Sequence, residues 1–383
     1  MTPKTSQTSP ARPTTPTVLA PTDLREAHEA LADTREPVTL RGAGTAADWG
    51  DPALPTPAVL DTTRMTGVLA YNPADMTVSV RAGTPLRALA AELGEHGQRV
   101  AFDAARVQRG ATVGGLVATA DSGPLSLTYG SLRDLVIGAT VVLADGTVAR
   151  TGGHVIKNVA GYDLAKLLHG SYGVFGLLAE VVLRLHPLPS ASRTVCVEAP
   201  LPAAAEHAAA VLSGQSEPVA FEWLDDLLLV RLEGTPEGTD ARARRLADDL
   251  GGTVLDDDAA DAAWARHADL VDAANLRIGV RPSRLPAVLA AIGGDTATAT
   301  VGLGTGVATL SVPDTDIEAA HDAVTAVNGT SVVHRAVPSG VRPWGQVPSA
   351  VRVLRALKNE LDPEGRLCPG RLGSWLDGRE ATP

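Results

Sequence analysis

The chain has 383 residues, 33 basic and 44 acidic side chains, a formal net charge of −11, and only 3% aromatic residues. That length suggests two or three domains with cores built from Ala, Val and Leu. An acidic chain without a basic run argues against nucleic acid or an anionic membrane as a partner. Two cysteines, Cys196 and Cys368, supply neither a four-thiolate metal site nor a disulfide framework, so no metal is expected.

Roughly the first twenty residues are rich in Thr, Pro and Ser and read as a disordered tail. They lack the apolar core of a secretory signal, which points to the cytoplasm. A capped helix is expected over Asp23 to Ala32, then a strand over Val38 to Arg41 running into Gly42-Ala43-Gly44-Thr45. Strands follow at Ala58 to Asp61, Gly67 to Ala70 and Met76 to Ala82. Thr84 is read as the N-cap of a helix with Pro85 at its first position, and Thr112 as the start of a second, short helix. A hairpin turns at Asp145-Gly146, Asp163 opens a short helix, and Leu177 to His186 is a long apolar strand. Gly173 to Leu185, the longest apolar stretch, is too short to span a membrane and carries Glu180 and Arg184.

From about Arg193 strands and helices alternate. The order β-α-β-β-α-β is complete between Leu276 and His334 and partial before it, which implies an antiparallel sheet with helices on one face. A helix over Ser349 to Leu361 precedes a Pro/Gly-rich end.

Glycine clusters at 42–44, 110–115, 152–153 and 170–176 recur beside helix starts, where amides and the helix dipole favour a phosphate. Turn formation alone also accounts for any one of them. The dinucleotide fingerprint G-x-G-x-x-G, the Walker pattern and H-E-x-x-H are all absent.

Taken together these loops are recognisable. Arg41-Gly42-Ala43-Gly44-Thr45 with Trp49-Gly50 resembles the first pyrophosphate loop of the vanillyl-alcohol-oxidase (PCMH-type) flavoproteins. Gly110-Ala111-Thr112-Val113-Gly114-Gly115, continued by Ser122-Gly123, Tyr129-Gly130 and Arg133-Asp134, resembles their second loop. Lys157 to Leu164 and Gly170-Ser171-x-Gly173-x-x-Gly176 resemble the third, and Cys368-Pro369-Gly370-Arg371 the returning tail. Within that superfamily, Gly153 to Asp163 is most similar to the E-subunit family of bacterial glycolate oxidases.

The resemblance implies an α+β fold. A two-subdomain FAD domain would span 21–190, an antiparallel α+β cap 191–345, and a segment returning to the FAD domain 346–383, after a tail over 1–20. It implies FAD held by Arg41, Gly42, Ala43, Gly44, Thr45, Thr112, Gly114, Gly115, Ser122, Gly123, Tyr129, Arg133, Gly173, Gly176 and Arg371. No His or Cys lies in Gly42 to Gly50 or Thr112 to Ser122, so the FAD is expected to be non-covalent. The resemblance further implies oxidation of a small 2-hydroxy acid such as glycolate, beside a homologous catalytic flavin subunit and an iron–sulfur subunit. Any membrane association would come through those partners. The His-x-Gly-Asp-Gly-Asn run of the catalytic subunits is missing here. A stand-alone dehydrogenase and a non-catalytic flavin-binding scaffold are the alternatives.

The residues themselves suggest amide donors at Gly44, Thr45, Gly114 and Gly115. Arg371, Arg366 and Lys157 are candidates for positive charge near the flavin ring. His334-Arg335 is a candidate base and clamp at the end of the last cap strand, against a structural role for a lone His. His154 reads as a helper of loop geometry. Tyr162 packs either on the flavin or in the core. Glu180, inside an apolar strand, either faces solvent or meets an Arg such as Arg133.

Overall fold

The computed structural model describes residues 15–155, 163–293, 299–336, 338 and 340–376. Lys157 and Tyr162 lie outside these residues.

The first half contains three sheets among the described residues. β1 (Thr17–Leu19), β2 (Val38–Arg41) and β3 (Ala58–Asp61) form a parallel sheet in the order β1-β3-β2. The expected tail over 1–20 is thus corrected at its end, because Thr17 to Leu19 pairs with Ala58 to Leu60. The helix Leu24–Asp33 covers this sheet, capped by Asp23, which accepts the Glu26 amide. β4 (Val68–Asn72) and β5 (Thr77–Arg81) open the second sheet; β6 (Gln98–Arg99) lies apart and pairs with the later β10. β7 (Val136–Val142), β8 (Val148–Gly152) and β9 (Leu177–Arg184) complete the second sheet in the order β4-β5-β9-β7-β8, all antiparallel. The hairpin at Asp145-Gly146 forms as expected. β10 is His186–Pro187.

Two local expectations fail for identifiable reasons. The helix after Thr84 runs Leu86–Gly94 with Pro85 as its cap, because the Thr84 hydroxyl accepts the Gly67 amide instead. Asp163 does not cap the helix Ala165–Leu168; its carboxylate sits 3.1 Å from the Lys166 ammonium. Glu180 faces the sheet neighbour Thr140, whose hydroxyl donates to it at 2.8 Å.

The second half is one antiparallel sheet of eight strands. In chain order they are β11 (Ala191–Glu198), β12 (Ala220–Leu224), β13 (Leu227–Gly234), β14 (Thr253–Val254), β15 (Leu276–Gly279), β16 (Thr300–Gly302), β17 (Val307–Leu310) and β18 (Thr330–Val333). The spatial order is β14-β11-β13-β12-β16-β17-β15-β18. The first four strands and the last four mirror one another, so the β-α-β-β-α-β unit occurs twice and the copies join at β12 and β16. Helices Leu201–Ser213, Pro236–Leu250, Leu285–Ile292 and Ile317–Thr325 bury one face of the sheet. The helix Asp257–Ala273 packs against Leu224 and Leu229 through Leu270 and Trp264.

Polar contacts dock this cap on the first half. Arg99 forks onto Glu233, Arg231 meets Asp103 at 3.3 Å, and Arg277 reaches Ala120 and Ser122. The last segment returns to the first sheet. Its helix Val351–Leu361 leads into Leu367, which bridges to Val38.

Candidate functional site

The strand β2 ends in four successive loop residues, Gly42, Ala43, Gly44 and Thr45, whose amides carry no partner among the described residues. Gly44 has φ +72°, a left-handed conformation that a glycine adopts without strain. Facing this loop, Thr112 starts the helix Val113–Ala118, and its hydroxyl accepts the Gly115 amide at 3.1 Å. A Cβ on Gly42 would stand 2.5 Å from that same hydroxyl, so the two loops touch only because residue 42 is glycine.

Between them lies a cavity of about 420 Å³, within the range of small-molecule and cofactor sites. Arg41, Gly42, Ala43, Gly44, Thr45, Thr112, Gly114, Gly115, Gly173, Gly176 and Arg371 line it. Three turns around it hold non-glycine residues at positive φ: Tyr172 (+51°) and Cys368 (+47°) on its wall, and Ala120 (+50°) behind it. Such strain is typical of sites built around a ligand.

Four expected residues lie elsewhere. Tyr129 points toward the cap, where its hydroxyl donates to Glu233 and its ring lies under Arg99. Arg133 is exposed on the helix Leu132–Leu135. Ser122 and Gly123 line a separate cavity of about 40 Å³ between the cap and the first half. The resemblance to a flavin loop brought these residues in; Ser122, Gly123 and Tyr129 lie toward the cap and Arg133 is exposed. The amides of Gly114 and Gly115 are also taken, by Ala82 and Thr112, so they are not free donors. Gly115 keeps a side chain out of the wall instead, and Gly114 lets the helix sit close on Ala82.

The candidate cations sort similarly. Arg371 donates to the carbonyls of Trp49, at 2.6 Å, Asp51, at 3.0 Å, and Ala47, and so ties the tail to the first loop. Arg366 is buried in the first half, bound to carbonyls of Ala144, Leu31 and Thr34, away from the cavity. Arg335 is exposed and paired with Asp314. His154 accepts from or donates to Asn72 and Thr77, a structural role.

Sequence reasoning missed Arg106, Asp121 and Arg277. Arg106 is 3% exposed. Its Nε meets Asp121 at 2.9 Å, one Nη donates to the Thr45 hydroxyl, and its guanidinium lies over the Trp49 ring. His334 stacks on Trp49 with centroids 3.5 Å apart and rings 3° from parallel. A polar cavity of about 110 Å³ adjoins the large one here and shares Gly44, Thr45, Ala47, Asp48 and Arg106 with it.

Burial and nearby guanidiniums hold His334 neutral, well below the usual histidine range. His169 is lowered to about 4 by burial, then by Arg133 and Arg277. Its folded value lies below the unfolded one, so unfolding takes up a proton between about pH 6.5 and 4. Stability from this group is present above that window and falls by roughly 3 kcal/mol across it. Denaturant midpoints from pH 7 to 4.5 are expected to drop less in His169→Gln than in the parent. Equal slopes would contradict the assignment.

The family model of the FAD binding domain matches residues 17–152. Residues 17–152 carry an FAD binding domain. The glycolate oxidase subunit GlcE of Escherichia coli is 36% identical over 232 residues, 60% of this chain and 63% of that one. The glycolate oxidase subunit GlcD of Bacillus subtilis is 31% identical over 220 residues, 56% and 47% of the two chains. The chain therefore spans less than two thirds of the length of these curated relatives. An alkyldihydroxyacetonephosphate synthase shares the fold across 92% of this chain and 75% of its own, with a TM-score of 0.67 at 16% identity. No helix among the described residues is long and apolar enough to cross a membrane.

The FAD-binding domain has a donor set that fits its cofactor. Four free loop amides suit a pyrophosphate, and Gly44 and Gly115 leave open wall where a side chain would intrude.

Proposed function

We propose that this chain is the FAD-binding subunit of a glycolate oxidase-type complex and takes part in oxidising a small 2-hydroxy acid. The carrying observation is the glycine-lined cavity in an FAD domain similar to that of a glycolate oxidase subunit, opening beside a polar chamber at the cap. When bound, FAD supplies two-electron acceptance. The loop amides of Gly42 to Thr45 hold its phosphates, and Arg371 and the Arg106–Asp121 pair keep that loop in place. The missing His-x-Gly-Asp-Gly-Asn run and the two cysteines favour partners that supply the catalytic flavin and the clusters.

Accordingly, the purified FAD-loaded chain should reduce a dye with glycolate or lactate only negligibly. Co-expression with a homologous flavin subunit and a cysteine-rich subunit should restore turnover. Enzymic rates from the chain alone would replace this reading with a stand-alone dehydrogenase.

The FAD is held without a covalent bond in this reading. Cys368 does line the cavity, but its sulfur accepts the Leu40 amide at 3.3 Å and burial pushes its thiol up, which suppresses the nucleophilic thiolate. Acid precipitation should leave all yellow colour in the supernatant; colour in the pellet that disappears in Cys368→Ser would assign a link to that sulfur.

A further inference from the structure

One buried indole sits behind the FAD cavity. Trp344 does not line that cavity, yet it packs on two residues that do, Gly50 of the first loop and Tyr172 of the third. A Cβ on Gly50 would run into the Trp344 ring, so the loop and the ring touch only because residue 50 is glycine. The Tyr172 ring meets the Trp344 ring edge-on, with centroids 5.3 Å apart. Both cavity residues hold left-handed backbone, Gly50 at φ +64° and Tyr172 at φ +51°. For Tyr172 that conformation is strained, and it persists only where the surroundings over-determine it.

Trp344 is itself fixed from three directions. Its neighbours extend the cap sheet along the outer edge of β18: the Val333 amide donates to the Pro343 carbonyl and the Gly345 amide to the Ser331 carbonyl, each at 2.9 Å. Its ring leans on Trp375 of the returning tail, with centroids 4.6 Å apart. Its indole N–H donates to the buried Asp51 carboxylate at 2.9 Å. A buried indole N–H has no other way to be satisfied than by such an acceptor. The same carboxylate oxygen accepts the Ser374 hydroxyl at 2.8 Å and the Ser374 amide at 3.3 Å. One residue earlier, the Gly50 amide donates to the Val333 carbonyl at 2.8 Å. The cap edge, the tail and the first loop therefore converge on residues 50 and 51. Asp51, like Trp344, stays outside the cavity wall.

We propose that Trp344 and Asp51 are positioning residues for FAD. Acting through Gly50 and Tyr172, the pair fixes two walls of the cavity from behind and couples cofactor affinity to the seating of the cap and the tail. The inference needs FAD binding alone and is independent of the acid the chain oxidises. Such coupling is reciprocal, so FAD must in turn tighten the junction.

The test uses the full chain, stripped of flavin and titrated with FAD by fluorescence, with melting temperatures recorded with and without saturating FAD. Trp344→Ala should raise the FAD Kd at least tenfold and shrink the gain in melting temperature that FAD gives. Trp344→Phe, which keeps a ring but loses the N–H, and Asp51→Ala should fall between it and the parent. Asp51→Asn keeps an acceptor and should restore near-parent affinity. Trp223→Phe is the control. Trp223 is as deeply buried, in the cap core, and its N–H donates to the Ala199 carbonyl at 2.9 Å. That variant should melt lower and bind FAD like the parent. In the parent, FAD should slow hydrogen exchange at residues 343–345, which do not line the cavity.

Parent-like FAD affinity in both Trp344→Phe and Asp51→Ala, with melting lowered equally in the loaded and stripped chains, would reduce the pair to structural packing and overturn the proposal. Equal weakening of FAD by Trp223→Phe would overturn it as well, because general destabilisation would then account for the loss. Unchanged exchange at residues 343–345 on adding FAD would remove the coupling.

Discussion

Gly115→Val is expected to give a folded chain that purifies with less than a tenth of the normal FAD. Gly115 lines the cavity, and a Cβ there would meet only the Thr112 hydroxyl, at 3.0 Å. The added side chain therefore fills space meant for the cofactor and presses on the residue that caps the helix. Gly114 makes the contrast. Its Cβ would stand 2.8 Å from the Ala82 Cβ and 3.1 Å from the Ala82 carbonyl, inside the protein. Gly114→Ala should cost about 1–3 kcal/mol of stability through overpacking. The two variants separate cofactor space from packing space when FAD content and melting temperature are both measured. Normal FAD in Gly115→Val would remove that residue from the site.

Asp362→Ala is expected to destabilise the protein by about 3–5 kcal/mol. The Asp362 side chain is buried and accepts the Arg366 amide at 2.9 Å, the Leu367 amide at 2.7 Å and the Lys358 ammonium at 2.6 Å. Its loss leaves two buried amides unpaired and an ammonium without its carboxylate. Lys358 also holds the carbonyls of Val174 and Leu367, so the change loosens the tail against the third glycine loop. Asp362→Asn keeps the acceptor and should cost less. A denaturant shift below about 1 kcal/mol in Asp362→Ala would show that the knot is not what fastens the tail.

Much of this was legible in the residues, and the failures have causes. Thr112 was read correctly because a cap acts within three residues of itself. Thr84 looked the same, but its hydroxyl is claimed by Gly67, a tertiary contact that local chemistry does not announce. The two cap units showed in their alternating periods. Their fusion into one sheet depends on the pairing of Glu222 to Leu224 with Thr300 to Gly302, far apart in the chain. The first-loop glycines were visible as a cluster, whereas Tyr129 and Arg133 were placed by resemblance to a flavin loop; here Tyr129 bonds Glu233 of the cap and Arg133 is exposed. Arg277 carried no signal. It is one arginine on a short strand, and only folding brings it to Ser122, 155 residues earlier.

The return of the tail also orders events in time. The strand β2 receives amide and carbonyl partners from Arg366 and Cys368, and the first loop is tied by Arg371. During synthesis these residues leave the ribosome more than 300 positions after the loop they complete. The FAD domain is therefore translated early and finished late. A nascent chain that has reached only the cap presents a first loop not yet tied by Arg371 and a strand β2 without its Arg366 and Cys368 partners.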